Sequence, residues 1–372
     1  MNHHPNRNLS RDQAMPQPLF GRERHLTVRL PLFCLAMLFC LTGAGMVGAF
    51  EQPKVYDLKP KDQILILGDS VTADGQCAAG FVRLIDQAQH EQVPELGVVV
   101  RAIGAYGEKL PDFPRGFAHI VEMTKKPNPP TVAIIALGLN DSGAKEKGLP
   151  AFTDQMRKAV TQLREANLTV ILCTTTGALA GWRLYSDAIR SVATEMKCPL
   201  IDLSAVYIDN VIKHCPKTET QDKIAPEFLP GFDPHRDHCH LNMYGETLSA
   251  STYLKAFGLK PVWQKYQIRT SVNRKGHRPY TGEGTIKIEP ELPSNGPTPA
   301  LCGNQTWPLE QQAYAPGTKV TLTVLPAAGN TFNRWYTLEE GTLKETSPSL
   351  TITIDRHTWI YAEVKSIEAK KP

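Results

Sequence analysis

Four consecutive aliphatic residues, Ile64, Leu65, Ile66 and Leu67, end abruptly at Gly68-Asp69-Ser70 in the stretch ILILGDSVTADG. A continuous apolar run bounded by turn residues is the pattern of a strand covered on both faces, as in a parallel sheet between helices. A serine just past such a strand stands where open α/β sheets place their ligands, outside the carboxyl ends of the strands. Taken alone, Gly-Asp-Ser fits a plain turn with a helix N-cap equally well. The rest of the chain decides between the two.

Further apolar runs follow in alternation with helical periodicity. The pattern predicts a helix from Gly80 to His90, a strand from Val98 to Ile103 and a glycine turn, Gly104-Ala-Tyr-Gly107. After the proline-rich loop Pro127–Pro130, the strongest strand runs from Val132 to Leu137 and ends in Gly138-Leu139-Asn140-Asp141. Phe152, Met156, Val160 and Leu163 mark one face of a helix from Phe152 to Ala166. A strand Thr169–Cys173, a helix Trp182–Met196, a strand Leu200–Leu203, an irregular stretch Lys217–Arg236 and a last helix Asn242–Phe257 complete the series. Strands alternating with helices mean βαβ units, hence an α/β fold: a three-layer α/β/α sandwich on a parallel sheet.

The composition then changes. Residues 258–282 carry Pro261, Gly276, Pro279 and Gly282 among scattered charges, as a linker does. From Gly284 onward apolar and polar residues alternate in short runs between Gly/Pro turns, so 283–366 reads as a small antiparallel all-β domain. Its aromatic residues Tyr314, Phe332, Trp335 and Trp359 suit the core of such a domain better than a sugar-binding face.

The N-terminus reads as an address. Arg22, Arg24 and Arg29 precede an apolar run from Leu30 to Val47 that closes on Gly43, Ala44 and Gly45, and Val47-Gly48-Ala49 makes a cleavage site. Residues 1–49 are therefore expected to be a signal peptide, 50–257 the α/β domain, and the mature protein exported to the periplasm, cell surface or medium. The alternative is an uncleaved anchor, since about 18 apolar residues nearly span a bilayer. The leader holds five arginines against Asp12 and Glu23, which leaves 36 basic and 35 acidic residues in the remainder. A near-neutral chain offers no electrostatic case for nucleic acid.

Six cysteines remain beyond the leader, at 77, 173, 198, 215, 239 and 302. Export permits disulfides, and Cys215 with Cys239 is the pairing expected, while Cys173 and Cys198 fall at opposite ends of neighbouring strands.

Chemistry gathers at four separated places. Ser70 follows strand one, Gly107 the turn after strand two, and Asn140 strand three, so the three share one edge of the sheet; Asp237 and His240 precede the last helix. A serine hydroxyl is a weak nucleophile that needs an adjacent base, a role suited to histidine. The histidine in turn needs a carboxylate to fix its tautomer and steady the imidazolium. The oxyanion needs fixed donors, for which the Ser70 and Gly107 N–H groups and the Asn140 amide are placed. Asp233, His235, Asp237, His238, Cys239 and His240 form a rival candidate as a metal site. However, hydrolytic metal sites spread their ligands over several elements, and no second His-rich segment exists. Asp69 and Asp141 are expected to hold turns.

These blocks, Gly68-Asp69-Ser70, Gly104-x-x-Gly107, Gly138-x-Asn140-Asp141 and Asp237-x-x-His240-Leu241-Asn242, are similar in content and order to those of the SGNH (GDSL-type) hydrolase superfamily over residues 62–257. The resemblance implies the flavodoxin-like SGNH fold and an esterase or acylhydrolase without cofactor. Ser70 would be nucleophile, His240 base and Asp237 its orienting acid, with Ser70, Gly107 and Asn140 as oxyanion hole. Two departures stand out: Val71 follows the serine in place of leucine, and Arg101 stands where the family often has Asn. Gly104 is the alternative donor in the second block. Tyr314-Ala-Pro-Gly317-Thr-Lys-Val320, Phe332-x-x-Trp335 and Ile360-Tyr-Ala-Glu-Val364 resemble a divergent internalin-B-type bacterial repeat. That likeness implies a β-grasp-like surface module without catalysis, with cell-surface or glycan contact as its role.

The expected substrate is a small-molecule or polysaccharide ester, an O-acetyl group on carbohydrate first of all. The expected specificity determinants are the loop 217–236 and Trp182. The rival reading is a non-catalytic exported carbohydrate-binding or adhesion protein.

Overall fold

Strand β1 (Gln63–Gly68) is hydrogen-bonded on both sides, to β2 (Val99–Gly104) and to β3 (Val132–Ala136), and both neighbours run parallel to it. β4 (Thr169–Cys173) and the two-residue β5 (Leu200–Ile201) extend the sheet past β3, giving the all-parallel order β5-β4-β3-β1-β2. That is the flavodoxin-like doubly wound order, whose direction of winding reverses between β1 and β3. The computed structural model describes residues 50–176, 181–210, 240–272, 283–291, 301–302, 305–306, 313–337 and 341–367.

Alternate side chains of the strands supply two cores, because successive residues point to opposite faces. Ile64, Ile66, Val132, Ile134, Ile171 and Cys173 pack against helices α2 (Phe81–Gln92), α6 (Leu203–Asn210) and α7 (Met243–Ala256). Leu65, Leu67, Ala133, Ile135, Val170 and Leu172 pack against α3 (Pro114–Met123), α4 (Lys145–Glu165) and α5 (Trp182–Glu195). Each fully buried aliphatic side chain contributes about 1.5–3 kcal/mol relative to exposure, so the two clusters fix the three-layer arrangement. The short helix α1 (Ser70–Gly75), buried throughout, leaves β1 directly.

The elements differ from the sequence expectation in several places within this half, and helices α1 and α3 are among those it did not foresee. Helix α4 begins at Lys145, ahead of the expected Phe152, and carries Pro150 inside it. Gly148 and Pro150 read as breakers. Here the Tyr185 hydroxyl, donating to the Lys145 carbonyl at 3.1 Å, occupies the space beside Gly148 and ties this turn to α5. Strand β5 stops at Ile201 and is followed by α6, which the sequence reading did not foresee. Cys173 and Cys198 are free thiols in opposite clusters, and the Tyr253 hydroxyl donates to Cys173 at 3.3 Å. The expected pairing of Cys215 with Cys239 lies outside the described residues, as do 217–236.

The second module holds β6 (Tyr266–Val272), β7 (Gly284–Glu289), β10 (Ala313–Tyr314), β11 (Lys319–Pro326), β12 (Asn330–Thr337), β13 (Gly341–Thr342), β14 (Ser349–Thr353) and β15 (Thr358–Ser366). Two-residue strands β8 (Leu301–Cys302) and β9 (Gln305–Thr306) pair instead at the β2 edge of the large sheet. Sheets ordered β10-β6-β15-β12-β13 and β14-β11-β7 enclose one core of Ile268, Val320, Leu322, Trp335, Ile360 and Val364 among others. Among the described residues the expected β-grasp-like module is thus two facing sheets. The stretch 258–282, expected as a linker, contains β6, and β6 runs parallel to β15. Within 283–366 the strands pair antiparallel as expected, and the parallel pair is made with a strand from outside that range. Tyr314, Phe332 and Trp335 pack in this module's core as expected. Trp359, with Tyr361, faces the other way and joins the α/β core. Strand β15 is buried on both faces, which explains its near-continuous apolar run.

Candidate active site

Ser70 stands at the reversal point of the sheet, as the first residue of α1 and 5% exposed. Asp69, in extended conformation, caps the helix: its Oδ1 accepts the Val71 N–H at 2.9 Å and its carbonyl accepts Ala73 N–H at 2.9 Å. The first N–H groups of a helix have no acceptor within it, so the cap leaves the Ser70 N–H outside the helix's own bonds. Burial pushes the Asp69 carboxyl up to about 7, against the Val71 hydrogen bond and the charge of His240, which lower it.

β2 ends at the same rim. A Cβ on Gly104 would lie 2.4 Å from the Ala73 nitrogen and 2.7 Å from the Asp69 carbonyl oxygen, so the strand end meets the α1 backbone directly. The turn beyond it contains Gly107 at φ +75°, a left-handed conformation suited to glycine. Asn140, at the end of β3, donates through Nδ2 to the Glu108 carbonyl at 2.9 Å. An amide nitrogen carries two hydrogens, so this bond fixes the amide plane and leaves the second N–H for another acceptor. The Asp141 carboxylate accepts the Leu110 N–H at 3.2 Å and ties the same two loops together. Burial raises that carboxyl to about 6. Asp69 and Asp141 thus hold turns, as the sequence suggested.

His240, 8% exposed, precedes α7, which Asn242 caps by accepting the Gly245 N–H at 3.0 Å. Its ring stacks on Tyr106, with centroids 6.3 Å apart and planes 29° apart. The Tyr106 hydroxyl donates to Asp74, one helical turn beyond Ser70 in α1. The chain thereby brings Ser70, Gly107, Asn140 and His240 to one rim. Asp237, expected to orient His240, lies outside the described residues. So do His235 and His238; among the described residues no three His, Cys, Asp or Glu side chains are grouped to hold a metal ion. Tyr106 and Asp74 were not singled out from the sequence. An aromatic residue inside the Gly104–Gly107 turn and a carboxylate four residues past the serine were the available signals.

Beneath this rim a small cavity lies between the ends of β3 and β4 and helix α7. Val71, Phe81, Leu139, Thr174, Thr175 and Tyr253 are among its lining. Trp182, the first residue of α5, is buried and does not line it.

A hydroxyl at a helix start and an imidazole thus stand at one rim of the sheet. Residues 66–248 match the GDSL-like Lipase/Acylhydrolase family, and this part of the chain is an acylhydrolase domain of that family. Residues 299–367 match the Divergent InlB B-repeat domain. Among solved structures, similarity is found to the acetyl xylan esterase AlAXEase, at 22% identity over 52% of this chain and 98% of that one, with a TM-score of 0.43. The acetylxylan esterase Axe2 from Geobacillus stearothermophilus gives 17% identity, 56% and 99% coverage and a TM-score of 0.43. LAE5, an alpha/beta hydrolase enzyme from the metagenome of Lake Arreo, gives 18%, 54% and 96% coverage and 0.41. Among curated protein sequences none matches the chain.

Proposed function

We propose that the protein is an exported serine esterase in which Ser70 is the nucleophile, His240 the base and Asp237 the residue that orients it. The observation that carries this reading is the stacking of His240 on Tyr106, whose hydroxyl binds Asp74 in the helix that Ser70 begins. It puts the imidazole beside the nucleophile helix although 170 positions separate the two residues.

The Ser70 oxygen attacks the ester carbonyl carbon while His240 takes the hydroxyl proton. The carbonyl oxygen gains the negative charge and is met by the Ser70 and Gly107 N–H groups and the second Asn140 amide N–H. Collapse of the tetrahedral species breaks the bond to the alcohol oxygen, which leaves with the proton from His240. Water then attacks the acyl-Ser70 ester with His240 again as base, releasing the carboxylic acid and restoring the serine.

The substrate class is a short acyl ester, an O-acetyl group on carbohydrate first among them. An appended surface-type module suits a protein that meets polysaccharide outside the cell. Export rests on the basic, apolar and small-residue pattern of residues 1–49. Among the described residues no helix is long and apolar enough to cross a membrane.

The test is a chain-length series of p-nitrophenyl esters beside acetylated xylo-oligosaccharides, assayed with the parent protein and Ser70→Ala. Acetyl esters should be cleaved fastest, and Ser70→Ala should be inactive on all. A serine-to-alanine variant as active as the parent removes the mechanism. Preference for long acyl chains removes the substrate class.

A further inference from the structure

The turn after β2 carries an exposed aromatic ring at the rim where Ser70 and His240 stand. The Ala105 carbonyl accepts the Glu108 N–H at 3.3 Å, so Tyr106 and Gly107 are the two corners of a β-turn. Gly107, at φ +75°, takes the corner that a type II turn reserves for glycine. The turn is clamped at both ends. The Ala105 N–H donates to the Gly68 carbonyl at 3.3 Å, and the Glu108 carbonyl accepts Asn140 Nδ2 at 2.9 Å. A Cβ added at Gly107 would meet nothing within 4 Å, so the space beside this corner is open.

The Tyr106 side chain is fixed as well as its backbone. Its hydroxyl donates to Asp74, and its ring lies 29° from the plane of the His240 ring with centroids 6.3 Å apart. Even so, the residue is 53% exposed. The hydroxyl is bound and one face is turned to the imidazole, so the exposure falls on the opposite face and the ring edge. Single apolar side chains scattered over a surface need no explanation, but this one is anchored against the proposed base. A ring already ordered before a ligand arrives also gives up little conformational freedom on binding.

We propose that the outward face of Tyr106 is the leaving-group subsite of the esterase, where the C–H face of the sugar ring that carries the ester comes to rest. The inference rests on the proposed roles of Ser70 and His240. On that reading His240 returns its proton to the departing alcohol oxygen, and a general acid reaches its acceptor at about 2.6–3.2 Å. The alcohol part of the substrate is therefore held beside the imidazole, and Tyr106 is the aromatic surface stacked on that imidazole. A pyranose suits such a surface: its C–H groups pack on the ring face while its hydroxyls stay in water. An alkyl alcohol would need a continuous apolar groove instead, and Tyr106 is followed in the turn by Gly107, Glu108 and Lys109.

The experiment compares two acetyl esters that differ only in the alcohol, a monoacetylated methyl xylopyranoside and ethyl acetate, using the full-length chain. kcat and KM are measured on both for the parent, Tyr106→Leu, Tyr106→Phe and Ser70→Ala. Tyr106→Leu keeps apolar bulk and loses the flat face. Its ratio of kcat/KM, sugar ester over ethyl acetate, should fall about tenfold from the parental ratio, chiefly through KM. Tyr106→Phe keeps the ring and loses the bond to Asp74, so its losses should fall on both esters alike.

A parental ratio in Tyr106→Leu, whether or not both rates drop together, overturns the subsite. A second measurement does not depend on the folding of that variant. With Ser70→Ala, saturation-transfer NMR should mark the ring C–H protons of the sugar ester, and transfer confined to its acetyl methyl overturns the proposal. A parent that cleaves ethyl acetate and leaves the sugar ester intact removes the carbohydrate class together with the subsite. Activity retained in Ser70→Ala instead removes the serine reading itself. Ser70→Ala inactive beside a parental ratio in Tyr106→Leu leaves the esterase standing and removes only the role of Tyr106.

Discussion

Gln267 of β6 accepts the Ala79 N–H at 2.7 Å, so the C-terminal module is hydrogen-bonded into the turn behind the nucleophile helix. The same interface holds Trp263, whose Nε1 donates to the Leu84 carbonyl at 2.8 Å, and the buried rings of Trp359 and Tyr361. A contact with this much buried aromatic surface couples the stability of the two modules.

Trp359→Ala is therefore expected to destabilise the whole chain, by about 3–5 kcal/mol as large-to-small changes of buried tryptophan do. Urea unfolding followed by tryptophan fluorescence and by far-ultraviolet circular dichroism should give one coincident transition in the parent. Two separated transitions in the parent would mean that the modules unfold independently.

Asn140→Ala should lower kcat by about 10²–10³, the usual effect of losing one oxyanion donor. The Glu108 carbonyl would also lose its partner, so the melting temperature is measured alongside. A drop in stability with kcat preserved would assign Asn140 to the loop alone.

Much of this was readable from the chain. The α/β half declares itself because each strand is buried on both sides, so runs such as Val132-Ala133-Ile134-Ile135 carry no polar interruption. Ser70, Gly107 and Asn140 were legible for the same reason, as residues standing just past strand ends. Strand β6 was not, because its Gln267 and Arg269 read as solvent-facing polar residues. Gln267 instead meets a backbone N–H of the other module and Arg269 the ring of Trp359, which no local pattern encodes. Trp359 was assigned to the core of its own module, and only the pairing of β15 with β6 turns it toward the α/β half. The link from Tyr106 to Asp74 joins residues 32 apart on two elements and exists only once β2 meets α1.

Gly104→Ala tests that meeting. The new methyl would sit 2.4 Å from the Ala73 nitrogen and 2.7 Å from the Asp69 carbonyl oxygen, both backbone atoms that no side-chain rotation can clear. Overpacking of this kind costs about 1–3 kcal/mol or more. Because the clash pushes on α1, kcat should fall together with the melting temperature. A fully active variant of parental stability would contradict the packing of β2 on α1.

Asp69 predicts a pH dependence of stability with a definite sign. Its carboxyl is pushed up to about 7 in the folded protein, chiefly by burial, against an ordinary value of 3.8. Between those two values the folded state holds a proton that the unfolded state has released, so stability falls as pH rises through this window. The contribution is fully present below about pH 4 and lost above about pH 7, and it amounts to a few kcal/mol at most. Asp69→Asn keeps an oxygen for the Val71 N–H and cannot ionise. Its melting temperature relative to the parent should therefore climb from pH 4 to pH 7 and level off above that. Glu246, raised to about 8, is present in both proteins and cancels in the difference, whereas the Asp141 charge adds to the rise of the Asp69 carboxyl and so belongs to the effect measured. A difference that stays constant across the range would show that Asp69 ionises in the folded protein as freely as in water. The hydroxyl of Ser70 would then stand beside a permanent anion.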